Sequence, residues 1–181
     1  SNDEIGQNIR LDGYFVTPKP DVRQDTVYYF DADFRQIDMW VIPLVVTNIF
    51  TEMEGQASGE GYITGNLEDF DFSADFQTEN VFAKPKFLNT NYFLSGHIGF
   101  DRDDGVLLDS VSVMDTKGGM GTVNGTIDLN DFNPITYLDL TLSMDRLQFL
   151  NNKLDPDVPF YGNVSGTGTV RLTGSNRDLY M

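Results

Sequence analysis

The strongest constraint on this chain is a two-residue alternation of apolar and polar side chains that returns many times along it. Residues 28–34 read YYFDADF and residues 70–76 read FDFSADF, so every second side chain is apolar. Successive side chains of a strand point to opposite faces, and this period is therefore typical of strands with one buried and one wet face. The sequence predicts an all-β fold.

Turn signals separate the alternating runs. DRDDG at 101–105, TKGG at 116–119 and NDFNP at 130–134 supply residues that tolerate positive φ or preset a turn. Turns at this spacing predict a meander or long antiparallel hairpins.

Two segments depart from the alternation and predict one or two short helices. Gln36–Gly55 is apolar without a period of two, which suits a helix from Pro43 through Met53 ended by Gly55, with a buried strand as the alternative. In Asp145–Leu154 the leucines are spaced for one helical face. Either helix would suit a plug or cap on a sheet.

A glycine-rich motif occurs twice. GQASGEGYITG at 55–65 resembles GNVSGTGTVRLTG at 162–174, apart from two extra residues in the second copy. Glycines inside strands indicate a bent sheet or close backbone approach. We expect residues 1–181 to form a single β-rich domain, and the bare start and the end just past a strand-like run suggest a fragment of a longer protein.

Composition excludes several classes of protein. The 12 Lys and Arg against 28 Asp and Glu give a net charge of -16, so the average surface repels phosphate backbones and nucleic acid is not expected as a partner. Cysteine is absent, which removes disulfides, thiol nucleophiles and thiolate metal sites. No apolar run approaches the roughly 20 residues that span a bilayer.

Candidate catalytic and metal-binding residues have simpler explanations. His97 is the one histidine and stands opposite the apolar face of its strand, where solvent exposure is expected. The aspartates of 101–104 fall short of a calcium loop, because glycine comes at the fifth position and no bidentate glutamate follows. We therefore expect no enzymatic activity, no metal and no cofactor.

The informative feature is the amount of apolar strand face relative to covering material. Such strands either pack as a closed sandwich or barrel, which the pattern alone favours, or curl into an open trough that exposes an apolar binding surface. The predicted groove-lining residues are Phe70, Phe72, Phe76, Leu94, Ile98, Phe100, Val123, Ile127, Leu138, Leu140, Leu142, Val170 and Leu172.

From Tyr92 to Gly174 the sequence resembles the C-terminal region of the TamB family of translocation and assembly module proteins, within the AsmA-like superfamily. The resemblance lies in the succession of GHIGFDRDDG, VMDTKGGMGTVNGTI, LDLTL and FYGNVSGTGTVRLTG, and the motif at 55–65 is similar to an earlier element of that family. The acidic charge and the first 50 residues depart from the family pattern.

The resemblance implies a curved antiparallel sheet that forms a taco-like hydrophobic trough. It further implies a periplasmic location, a parent protein anchored in the inner membrane of a Gram-negative envelope, and an Omp85-type outer-membrane partner. Expected cargo is phospholipid acyl chains or unfolded outer-membrane protein.

Three functions follow as hypotheses. The chain is a lipid-conducting groove segment, a chaperone-like segment that binds strands of outer-membrane proteins at an open sheet edge, or a closed surface or adhesin-like sandwich without an apolar ligand.

Overall fold

A computed structural model describes residues 9–17, 27–45, 49–66, 69–128, 137–154, 161–175 and 178–180. Its strands are β1 (Ile9–Val16), β2 (Val27–Asp38), β3 (Phe50–Glu54), β4 (Gln56–Gly65), β5 (Phe70–Pro85), β6 (Tyr92–Asp101), β7 (Gly105–Asp115), β8 (Met120–Asp128), β9 (Tyr137–Asn152), β10 (Gly162–Ser175) and β11 (Leu179–Tyr180). The predicted all-β class is confirmed.

The strands form one antiparallel meander. Its order is β1-β2-β4-β5-β6-β7-β8-β9-β10-β11, and β3 continues the line of β4 along the same edge of the long β5. Within the described residues the sheet is curved and does not close on itself. The open, taco-like trough is therefore confirmed, and the closed sandwich or barrel that the alternation alone favoured is wrong for this part of the chain.

Two of the three predicted turns form as expected. Asp101 and Gly105 pair as the ends of the β6–β7 hairpin, and Asp115 accepts a backbone hydrogen bond across the β7–β8 turn. The third predicted turn, at 130–134, lies outside the described residues.

Cross-strand register separates an apolar face from a polar one. Phe30 of β2 stands opposite Ile63 of β4, which stands opposite Phe72 of β5. Three positions further along these strands, Asp33, Glu60 and Asp75 stand opposite one another in the same order on the other face. The first 50 residues thus contribute strands whose apolar side chains share the concave face with the rest of the sheet.

Four β-bulges bend the sheet along one seam. On β2, β5, β7 and β9, two residues oppose one residue of the next strand, and the second of the two has positive φ. These left-handed residues are Gln36, Asn80, Ser110 and Arg146, with φ of 51° to 54°. Bulges increase local twist and bend a strand, so the seam accounts for the curvature.

A side chain on the neighbouring strand holds each bulge. The backbone N–H of the left-handed residue donates to Ser58 Oγ (3.0 Å), Ser95 Oγ (2.9 Å), Asn124 Oδ1 (2.7 Å) or Thr167 Oγ1 (3.1 Å). A glycine follows each acceptor in the sequence. The resulting Ser/Asn/Thr-Gly pairs satisfy the N–H that the bulge removes from the ladder.

The glycine-rich segments 55–65 and 162–174 become β4 and β10. Ser58-Gly59 holds a bulge in the first segment, and Thr167-Gly168 holds the equivalent bulge in the second. Counted from these pairs, Gly65 and Gly174 both follow six residues after the bulge glycine. Whether the two segments are a true repeat stays a prediction.

Both helix predictions need correction. A 3-10 turn (Met39–Val41) leads into α1 (Ile42–Val45), but Phe50–Glu54 is strand β3, because it pairs with the end of β5. Asp145–Leu154 is not a helix, since residues through Asn152 continue β9 and pair with β10.

Connecting segments at one end of the strands fill that end of the trough. Met39 and Ile49, from the connection between β2 and β3, are buried in the core, as is Leu88 from the β5–β6 turn. The backbone N–H of Asn151 donates to the carbonyl of Leu88 at 2.9 Å, and the Asn152 amide donates to the carbonyl of Phe87 at 2.6 Å. The β5–β6 turn is thereby fastened to the end of β9.

Candidate functional site

The predicted groove residues lie on the concave face at different depths. Seven are buried in the core, namely Leu94, Ile98, Ile127, Leu138, Leu140, Leu142 and Leu172. Phe72 is half-buried outside this core, and Phe76, Phe100, Val123 and Val170 are half-buried against it, whereas Phe70 is 42% exposed. The structure thus brings most of them into one cluster and leaves Phe70 and Phe72 towards its open side.

Two small apolar cavities remain between the walls of the trough. One, of about 80 Å³, lies between Phe50, Phe87 and Leu88 on one side and Leu140, Leu172 and their neighbours on the other. The second, of about 50 Å³, is bounded by Met39, Ile42 and Phe100 among others. Both are well below the roughly 300–1,000 Å³ of small-molecule sites. This closed end is therefore a packed core.

An open aromatic surface lies beside that core. It consists of the concave-face aromatic residues of β1, β2 and the first half of β5, here called the aromatic shelf: Phe15, Tyr28, Phe30, Phe34, Phe70, Phe72 and Phe76. Phe15 is 64% exposed, and Ile9 and Leu11 on the same strand face are 53% and 60% exposed.

Ring contacts join the aromatic shelf to the core. Phe15 and Phe30 have ring centroids 5.1 Å apart, and Phe34 and Phe76 are also 5.1 Å apart. Phe76 then meets Phe100 edge to face at 5.7 Å. The part of the shelf on β1 and β2 was missing from the sequence-based site, although the alternation of residues 28–34 had marked it as a one-sided strand.

The opposite face of the sheet is polar and acidic. Its exposed ion pairs include Arg35 with Asp33 and Arg171 with Asp139, both at 2.8 Å. The hydrogen bonds from these guanidinium groups lower the pKa of Asp33 and of Asp139. Exposed pairs of this kind contribute little to stability but keep the outer face wet.

His97 lies on this outer face, as predicted. It is exposed, and its Nδ1 is 2.9 Å from Asp75 Oδ1. Asp101 Oδ1 accepts the backbone N–H of Asp103 and Asp104, which is the hydrogen bonding of an ordinary turn. Among the described residues no cluster of His, Asp or Glu has the composition of a metal site.

A buried carboxylate, Asp115, has a structural role. Asp115 accepts backbone hydrogen bonds from Lys117 (2.7 Å), Gly119 (2.9 Å) and Gln148 (2.7 Å). Burial raises the pKa of Asp115, but these three donors outweigh burial and leave its pKa lowered. The residue joins the β7–β8 turn to β9.

Tyr92 also ties β6 to β9. Its hydroxyl donates to the carbonyl of Gln148 at 2.9 Å, and burial raises the pKa of Tyr92 to about 12. This bond and the Asp115 contacts hold β6 and the β7–β8 turn at a fixed distance from β9.

Fold and site together define a class: a curved, open antiparallel sheet with a polar convex face and an apolar concave face that is exposed at one side. Helices that could cross a membrane do not occur in the described parts of the chain.

Residues 109–179 match the family model of the TamB C-terminal domain. The match runs from β7 to β11, about two fifths of the chain, and confirms the resemblance to the TamB C-terminal region over those residues. No curated protein and no solved structure matches the chain.

Proposed function

We propose that this chain is a non-enzymatic trough segment that binds extended apolar chains, either phospholipid acyl chains or unfolded outer-membrane protein, during envelope assembly. The carrying observation is the aromatic shelf, an exposed apolar surface continuous with the core of the trough. The TamB family match supports this assignment.

The energetics favour the shelf over the closed cavities as the binding surface. The cavities have no room for a chain, whereas Phe15 is 64% exposed before any ligand binds. Shielding apolar surface contributes about 25 cal/mol per Å², so covering a few exposed aromatic and aliphatic side chains contributes several kcal/mol. Leu94, Leu140 and the other buried residues would then form the core against which the shelf packs.

The family match also supports a cellular setting. We propose a periplasmic location, an inner-membrane anchor elsewhere in the parent protein and an Omp85-type outer-membrane partner. A wet, acidic convex face and an apolar concave face suit an aqueous compartment between two membranes.

A second candidate is strand addition at β1. Within the described residues β1 pairs with β2 alone, so its other edge is free for backbone hydrogen bonds. Ile9, Leu11 and Phe15 expose apolar side chains along that edge strand. An unfolded outer-membrane strand could pair there and place its own apolar face on the shelf.

Photo-crosslinking tests binding at the aromatic shelf and identifies the cargo. A photoreactive side chain replaces Phe15 on the concave face or, as control, Tyr14 on the convex face; the two are adjacent and similarly exposed at 64% and 59%. We expect adducts at Phe15 that are absent at Tyr14, and their mass identifies phospholipid or polypeptide. Equal labelling at both positions, or none at either in cells, would refute ligand binding at the aromatic shelf.

A further inference from the structure

A polar cleft lies at the lysine-bearing end of the strands, outside the trough. It is lined by Lys86, Asn89, Asn151, Asn152, Lys153, Leu154, Gly162 and Asn163 and has a volume of about 870 Å³. This volume is within the range of about 300–1,000 Å³ typical of ligand sites. The cleft is formed by the β5–β6 turn, the end of β9 and the start of β10.

The charge of the cleft is opposite to that of the chain. Of the described residues that line it, two are lysines and none carries a carboxylate, in a protein with 28 acidic and 12 basic residues. Among the described residues, neither Lys86 nor Lys153 forms an ion pair, whereas Lys84 pairs with Glu52. Two ammonium groups are therefore available to an anion.

The four lysines in the described ranges all lie at this end of the sheet. Lys84 and Lys86 are at the end of β5, Lys117 is in the β7–β8 turn and Lys153 follows β9. The opposite end carries the acidic β6–β7 turn of residues 101–105. The field along the strands thus directs anions to the cleft end.

Hydrogen bonds fix the amide walls of the cleft. Asn89 Nδ2 donates to the carbonyl of Asn151 at 2.9 Å, and Asn163 Nδ2 donates to Asn151 Oδ1 at 3.1 Å. Gln148 Nε2 donates to Asn163 Oδ1 at 3.0 Å. The walls are held in place before a ligand arrives, which lowers the entropic cost of binding.

We propose that this cleft binds a phosphate monoester. A phosphate monoester carries about -1.5 to -2 charges on three acceptor oxygens, which suits two ammonium groups, whereas a carboxylate carries one charge on two oxygens. Exposed Leu154 at the rim adds an apolar contact. The ligand is either a soluble phosphate monoester or the phosphomonoester headgroup of a phosphatidic acid.

Calorimetric titration of the chain tests this site. The probes are glycerol 3-phosphate, micelles of short-chain phosphatidic acid, and acetate. The variants are Lys86→Ala, Lys153→Ala and, as a control of equal charge change outside the cleft, Lys117→Ala. We expect each cleft variant to bind phosphate roughly tenfold more weakly, because each loses one charged hydrogen bond. The affinity of Lys117→Ala should equal that of the unaltered chain.

The outcomes separate the ligand sources and the two proposals. Binding of both phosphate probes with tighter micelle binding assigns a lipid headgroup, and binding of glycerol 3-phosphate alone assigns a soluble ester. Phosphate binding that survives in Phe15→Ser shows that the cleft acts independently of the shelf. Equal weakening by all three lysine variants, acetate binding as tight as phosphate, or no phosphate binding by the unaltered chain would overturn the proposal.

Discussion

Replacing Ser110 by glycine should stabilise the protein, although glycine normally weakens a strand. Ser110 is the left-handed residue of the β7 bulge, with φ of 54°. A left-handed backbone costs a non-glycine residue about 1–2 kcal/mol, and glycine loses about 0.4–1 kcal/mol more entropy on folding. The N–H bond to Asn124 at 2.7 Å persists, and the lost bonds of the Ser110 hydroxyl to Asp109 (3.0 Å) and Asn124 (3.3 Å) are exposed and replaceable by water. The net gain is therefore about 0.5–1 kcal/mol.

Ser112 provides the matched control. It is an exposed serine on the same strand, two residues away, and it is not among the residues with positive φ. Ser112→Gly should destabilise by about 0.5–1 kcal/mol, so the two variants differ by about 1–2 kcal/mol. At about 2–4 °C per kcal/mol for a chain of this size, the difference in Tm is about 2–8 °C.

Thermal unfolding followed by circular dichroism measures both variants. A rise for Ser110→Gly with a fall for Ser112→Gly supports the bulge seam as a set of strained positions held by neighbouring side chains. Equal falls in Tm would refute that reasoning, because Ser110 would then behave as an ordinary strand residue.

Three further changes test the packing of the trough. Leu147→Ala, at a fully buried position, should cost about 2–5 kcal/mol in urea unfolding, whereas Leu107→Ala, at a half-exposed one, should cost less than about 1 kcal/mol. Gly125→Ala should destabilise strongly, because its φ is +134° and a Cβ would collide with a β9 carbonyl; Gly166→Ala, with nothing within 4 Å, should be neutral or stabilising. Asp115→Asn should be less stable than the parent protein at neutral pH. Because the pKa of Asp115 is lowered in the folded protein, the stability that its carboxylate contributes is lost on protonation, and the difference in unfolding free energy should shrink as pH falls below 3.8. A difference that does not change with pH contradicts this.

Alternation was enough to predict the strands and their two faces. Residues 28–34 and 70–76 lie in β2 and β5 with the predicted faces, and the 101–105 and 116–119 turns connect the predicted neighbours. These features depend on local sequence alone. Whether the sheet is open or closed depends on long-range register and curvature. The family resemblance predicted an open sheet, whereas the alternation alone favoured a closed sandwich or barrel.

The site was only partly predictable for the same reason. Alternation identifies which side chains share a face, but not which part of that face is covered. Long-range packing covers the concave face at one end with Met39, Ile49 and Leu88, while the apolar face of β1 stays exposed. The lysine cleft needed the structure as well. Lys86 and Lys153 are far apart in the sequence and line one cleft because hydrogen bonds hold the β5–β6 turn against the end of β9.

The wrong helix at 145–154 shows how a bent sheet can imitate a helical pattern. Each bulge adds one residue, so the apolar spacing on the concave face changes from two to three, as between Met144 and Leu147. A second irregularity separates Leu147 from Leu150 by three as well, and together they imitate the spacing of a helix face. The same step of three occurs at Thr78 to Val81 and in the other bulged strands. A step of three within an alternating run, with a Ser/Asn/Thr-Gly pair on the neighbouring strand, therefore indicates a bulged strand, and this signal can be read from sequence.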